Sequence, residues 1–212
     1  MGDILDTRFE GKEIDIEDNI VTIGDDINIM QKDPLIKNLM IGAGWDVNAF
    51  ESDVLDLDLS AFFLNFNGVT RMDSDFLYFN NRDIMDGQVK HNGDSRTGAG
   101  DGDDESISIN LQGVPFDILR IVFVITIYKG DEKAQSLNMV RNAYIRVLNM
   151  DTTQEILRYN LKDVLEEKNG TTLIVGSLNR EGPKWHFTPL GEFSEGGLKA
   201  ICEKYGLIVG QY

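Results

Sequence analysis

Cys202 is the only cysteine in the chain. One thiol excludes an intramolecular disulfide and any zinc site built from cysteines. Positive charge is also scarce, with 20 Lys and Arg against 36 Asp and Glu for a net charge of −16. Nucleic acid and anionic membranes both demand basic surface, so neither is expected as a direct partner. Long apolar runs are missing as well. The longest, "ILRIVFVITIY", has the length of a strand and not of a membrane span. The opening "MGDILDTRFEGKEIDIEDN" has no basic n-region and no apolar h-region, and Asp6 stands where a myristoylation signal needs Ser or Thr. A soluble, reducing, cytoplasmic protein is the expectation. Helix signals are few and no repeat of fixed period is visible.

Against these absences stands a hydrophobic content of 42% over 212 residues, enough for one cored domain. Its pattern is strand-like. "KEIDIEDNIVTI", "VLDLDLSAFFLNF" and "SISINL" alternate, and "LRIVFVITIY" is near-continuous and β-branched, the pattern of a central strand buried on both faces. Turn signals lie between the runs at Asn67-Gly68, Asp86-Gly87, Asn169-Gly170 and Glu181–Pro183. "DEKAQSLNMVRN" predicts a helical turn or two. Short helices are predicted at "LKDVLEEK" and at "SEGGLKAICEKYG", the latter closed by Gly206. The fold class is therefore mainly β, a two-sheet antiparallel β-sandwich with one or two short helices near the C-terminus. Residues 1–30 read as an extension or an edge hairpin joined to a sandwich domain spanning 31–212.

The segment with chemistry is "HNGDSRTGAGDGDDE" from His91 to Glu105. Asp101, Asp103, Asp104 and Glu105 crowd into five residues and would repel strongly if left unpaired. Hard cations such as Ca²⁺ want several oxygen ligands, and glycines between acids let the backbone turn to supply them. A solvated acidic hairpin loop is the plain alternative. The spacing is not that of an EF-hand, because Arg96, Gly98 and Ala99 occupy positions that need ligands or glycine. Two further segments offer partners. Asp56, Asp58 and Ser60 share one face of a strand whose other face is Leu55, Leu57, Leu59 and Ala61. The turn "MDSDFLYFNN" adds Asp73, Asp75, Asn80 and Asn81. The histidines are His91, expected on the hairpin surface, and His186, expected within a sheet. Trp45, Trp185 and the "FLYF" run are expected in the core or at an interface.

Taken in order, "GWD" at Gly44–Asp46, "DLDLSAF" at Asp56–Phe62, "DFLYFNN" at Asp75–Asn81 and "GDSRTGAGDGDDE" at Gly93–Glu105 resemble the TerD family of tellurium-resistance and stress proteins. "NAYIRVLN", "LRYNL", "KWHF" and "GGL" extend the likeness, which runs from about Ile36 to the C-terminus. The resemblance implies a β-sandwich that binds Ca²⁺, two ions, through Asp56, Asp58, Asp75, Asn80, Asn81, Asp94, Asp101, Asp103, Asp104 and Glu105. It implies a bacterial stress-response role tied to tellurite, phage and colicin resistance, alongside proteins of the same system that include a membrane protein. It supplies no agreed enzymatic activity. The chain departs from the family pattern at Ser95, where the motif has Asn, and at Gly191–Phe193, where "GEF" replaces Gly-Gln-Gly. A Ca²⁺-dependent interaction module without catalysis is the expectation. The alternatives are a metal-dependent enzyme and direct handling of tellurite. The last would favour thiolates, and a single cysteine in an amphipathic helix reads as structural.

Overall fold

The computed structural model describes residues 19–46, 55–93 and 102–208, without the Glu167 side chain. In chain order its elements are β1 (Ile20–Val21), β2 (Ile27–Asn28), α1 (Ile29–Lys32), β3 (Asn38–Asp46), β4 (Leu57–Leu64), β5 (Phe76–Leu77) and β6 (Asp83–Ile84). Then come β7 (Val89–Gly93), β8 (Glu105–Asn110), β9 (Arg120–Ile127), β10 (Arg141–Asn149), β11 (Glu155–Asn160), α2 (Lys162–Glu167), β12 (Thr172–Glu181), β13 (Lys184–Phe193) and α3 (Gly197–Lys204). They form two sheets. Sheet I has the order β1-β11-β10-β3-β8-β7-β6, and sheet II the order β2-β13-β12-β9-β4-β5. Neighbouring strands are antiparallel except for β1, which runs parallel to β11. The mainly β sandwich of the sequence is the observed architecture.

Alternation decides which side chains lie between the sheets. Leu39, Ile41, Ala43 and Trp45 on β3 meet Leu57, Leu59, Ala61 and Phe63 on β4 in one core, together with Ile121, Phe123 and Ile125 on β9. The other face of sheet II is covered too. Phe62 and Leu64 on β4 and Val122 and Val124 on β9 pack with Ile201, Cys202 and Tyr205 of α3. This second layer explains why "LRIVFVITIY" reads as apolar on both faces: β9 lies between β12 and β4 and is buried on both sides. It also buries Ser60 on the face the sequence assigns to polar residues. Helix α3 closes at Gly206, whose φ of 87° lies in the left-handed region that glycine reaches without penalty. The turn is fixed by the Leu207 N–H donating to the Cys202 carbonyl at 2.9 Å.

Of the N-terminal segment 1–30, residues 1–18 lie outside the described residues; within the rest, β1 pairs with β11 in sheet I and β2 with β13 in sheet II. The alternation of that segment specifies strand but not partner. Helix α1 is absent from the sequence reading. It is a single turn capped by the Asn28 side chain, which accepts from the Met30 and Gln31 N–H groups at 3.1 and 3.2 Å.

Candidate functional site

The acidic loop ends where β8 begins, and Glu105 is the first residue of that strand. Glu105, Ile107 and Ile109 share the inward face of sheet I and all are buried. The Glu105 side chain therefore points between the sheets, and its Oε2 accepts a hydrogen bond from the Leu59 N–H on β4. Leu59 is available because β5 pairs with β4 only at Ala61 and Phe62. The Leu59 carbonyl is satisfied from sheet I as well, by His91 Nε2 at 3.0 Å. A carbonyl only accepts, so this contact assigns the imidazole proton to Nε2. The same Nε2 lies 3.5 Å from Glu105 Oε2. One carboxylate and one imidazole from sheet I thus cap an edge peptide of sheet II. His91 is 5% exposed and not the surface residue the hairpin suggests. Its strand alternates inward at Val89 and His91, and sequence alone does not say that the hairpin's inner face is covered.

The two preceding residues are held by sheet I. The Asp104 N–H donates to the Ala43 carbonyl at 2.8 Å, and Asp104 Oδ2 accepts from the Trp45 N–H at 2.8 Å. Asp103 turns the other way, over the outer face of sheet I. Arg146 on β10 donates from Nε to Oδ1 at 2.7 Å and from Nη2 to Oδ2 at 3.0 Å. Tyr144 adds its hydroxyl to Oδ1 at 3.1 Å. Burial and the adjacent Asp103 carboxylate push the Tyr144 pKa up, so the phenol keeps the proton it donates. The network continues through Glu155, which accepts from Arg146 at 3.2 Å and from Arg158 at 2.7 Å, and Arg158 stacks 4.1 Å from the Tyr144 ring centroid. Two glycines make room for it. Arg146 is in register with Gly42 and Tyr144 with Gly44. A Cβ at Gly42 would overlap the Asp103 carboxylate, and one at Gly44 would overlap the Tyr144 ring.

The remaining candidate ligands separate. Asp75 is 2% exposed and receives Arg71 in a two-point pair, Nε to Oδ2 and Nη2 to Oδ1, both at 2.8 Å. The Arg71 backbone N–H adds a third bond at 3.1 Å. The Asn81 amide donates to the Phe76 carbonyl at 2.6 Å, while Asn80 is exposed. Asp56 and Asp58 flank Leu57 at the start of β4, and the Asp56 carbonyl accepts from the Tyr128 N–H at 2.7 Å. Asp58 lines a cleft of about 660 Å³ together with Phe76, Tyr78 and Tyr128. Asp94, Ser95 and Asp101 lie outside the described residues. Among those that are described, no three His, Cys, Asp or Glu side chains form a group placed to hold a metal ion.

Donor chemistry sorts these residues for a hard cation. A carboxylate offers about four lone-pair sites, so Asp104, which accepts from the Trp45 N–H, and Glu105, which accepts from the Leu59 N–H with His91 beside it, keep oxygen chemistry compatible with a Ca²⁺ ligand role, as do Asp56 and Asp58. Asp75 and Asp103 do not fit as they stand. Each already carries three hydrogen bonds and a guanidinium whose charge cancels its own. Sequence reasoning missed Arg71, Tyr144 and Arg146 as parts of this region, and set His91 on the surface. A signal for two of them exists: in "NAYIRVLN" Tyr144 and Arg146 fall on one strand face, an unusual pair to leave unpartnered.

No histidine among the described residues lines the cleft at Asp58, and the one thiol at its wall, Cys202, is pushed up to about 11 by burial with help from Glu203. At neutral pH such a thiol is almost wholly protonated and a poor nucleophile. No helix among the described residues is long and apolar enough to cross a membrane.

The TerD domain family model matches residues 20–205. Over 184 residues the chain is 40% identical to the tellurium resistance protein TerD of Serratia marcescens, across 87% of this chain and 95% of that protein. It is 37% identical over 188 residues to general stress protein 16U of Bacillus subtilis (strain 168), across 88% and 96% of the two. Among solved structures, a homologue of the telluride resistance protein TerD from Streptomyces coelicolor A3(2) superposes with a TM-score of 0.65 over 82% of this chain and 99% of that one. At 20% identity that likeness shows the fold. The chain belongs to the TerD family of tellurium-resistance and stress proteins.

Proposed function

We propose that this protein is a calcium-binding, non-catalytic stress-response protein that works as a Ca²⁺-dependent interaction module. The observation that carries this reading is the contact between Glu105 and the Leu59 N–H. It brings the end of the acidic loop against the peptide that joins Asp58 to Leu59, so two acidic segments 46 residues apart meet at one end of the sandwich. Asp56, Asp58, Asp104 and Glu105 are the described residues that would hold the ion, with Asp94 and Asp101 from the rest of the loop. A divalent cation supplies the positive charge that this concentration of carboxylates lacks. Its partners would be other proteins of the same resistance system, including a membrane protein, met from the cytoplasmic side.

Calorimetric titration tests the reading. The protein should bind Ca²⁺, two ions per chain, with Mg²⁺ competing weakly. Asp104→Asn should weaken one site by more than the roughly 10–100-fold that loss of an outer-shell partner costs. Heat indistinguishable from dilution would end the calcium reading, and an Asp104→Asn isotherm like the parent's would end this ligand assignment. Cys202→Ser should leave the isotherm unchanged, because the thiol packs among Phe62, Val124 and Ile201. A shifted affinity in that variant would reopen a role for sulfur.

A further inference from the structure

Resting on the calcium reading above, we infer that Asp103 is not a cation ligand but the anchor of the acidic loop, and that Arg146 is the positioning residue which holds it. Three independent features make this arrangement a built one. The first is geometry: Arg146 meets both oxygens of Asp103, at 2.7 and 3.0 Å, the planar two-point pairing that a guanidinium forms and an ammonium cannot. The second is burial: the Asp103 side chain is 8% exposed, although it belongs to a loop of polar and small residues. The third is the backbone beneath it. Across the register Arg146–Gly42–Ser106, the middle position has no side chain. The Asp103 carboxylate occupies the space a Cβ at Gly42 would fill. Any other residue at position 42 would push Asp103 off Arg146.

The consequence concerns the rest of the loop. Asp104 and Glu105 follow Asp103 directly, and their bonds to Trp45 and Leu59 need the chain to enter β8 at one height and angle. Asp103 fixes that entry. Arg146 also supplies one permanent positive charge against the loop's carboxylates, so part of their repulsion is cancelled before any ion arrives. Its orientation is itself secured, since Glu155 accepts from Nη1 of Arg146 and is held in turn by Arg158.

The sign of one mutation separates positioning from simple electrostatics. Removing a positive charge beside a cation site raises cation affinity if charge alone matters. Removing a positioning residue lowers it. Arg146→Met is therefore expected to weaken Ca²⁺ roughly 10–100-fold, the usual cost of losing an outer-shell partner. Asp103→Asn should weaken binding by a similar factor with the number of ions unchanged. The double variant should be no weaker than the worse single, because both changes break one contact. Arg146→Lys should restore only part of the affinity. Melting temperatures in excess chelator supply a second readout: each single variant should melt below the parent, and the double no lower than the worse single. An Arg146→Met variant that binds Ca²⁺ as well as the parent or better would overturn the inference. So would loss of one bound ion in Asp103→Asn, or strictly additive effects on melting. If the parent binds no Ca²⁺, the calcium reading fails, and non-additive melting of the apo variants alone decides whether Asp103 is anchored by Arg146.

Discussion

In excess chelator the protein should melt well below the temperature it reaches with millimolar Ca²⁺. A ligand that binds only the folded state stabilises it by RT ln(1 + [L]/Kd), about 4 kcal/mol for one site at a thousand times its Kd. For a domain of this size each kcal/mol moves the midpoint by roughly 2–4 °C. The expected separation is thus of order 10 °C for a single tight site, and larger if two ions bind. The physical cause is the loop's charge. Carboxylates from the acidic loop and the start of β4 are brought to one end of a sandwich that carries a net charge of −16, and folding gathers them closer than the unfolded chain does. Mg²⁺ should restore much less, because it prefers a small octahedral shell and gives up its water reluctantly. Calorimetric scans with chelator, Ca²⁺ and Mg²⁺ in parallel check this. Superimposable curves in all three would show that no ion is coupled to folding.

Glu105 should matter to stability even with no ion present. Its Oε2 accepts from Leu59 in the opposite sheet, and His91 lies against the same oxygen. Truncation in Glu105→Ala strands the Leu59 N–H at a sheet edge that β5 does not reach. A buried donor left unsatisfied costs about 1–3 kcal/mol. The midpoint in chelator should fall by roughly 2–12 °C, with the cavity left by the side chain adding to it. Glu105→Gln keeps an acceptor oxygen of the same reach and should hold most of the apo stability while losing Ca²⁺ affinity. The two variants together separate the stitch between sheets from the charge. An Ala variant that melts like the parent in chelator would show that Glu105 contributes nothing to the union of the sheets.

The fold was legible because its signals are local. Period-two alternation in "VLDLDLSAFF" and "SISINL", and the near-continuous run that became β9, give strand identity and inward faces without knowledge of partners. The short helices at Lys162–Glu167 and Gly197–Lys204 were equally visible, the second through its terminal glycine. The partners of β1 and β2 were not, because alternation does not name a partner strand. The candidate site was legible as a composition of acids and glycines. Its internal division was hidden. Asp75 and Asp103 look like ligands in the sequence, and only the fold sets Arg71 and Arg146 against them. Arg71 is four residues from Asp75, but Arg146 lies 43 residues from Asp103.

What the sequence determined by itself is a β-sandwich chain, its family and the segments in which its acids gather, since hydrophobic period, turn residues and motif order are properties of neighbouring residues. Tertiary structure decided which donors the described acids meet. The pairing of β10 with β3 places Arg146 opposite Gly42 and converts Asp103 from a surface charge into a buried anchor. The short reach of β5 along β4 leaves Leu59 for Glu105 and His91 to cap. A carboxylate's role depends on which donor stands within about 3 Å of it, and that distance is fixed by strand register across the whole chain.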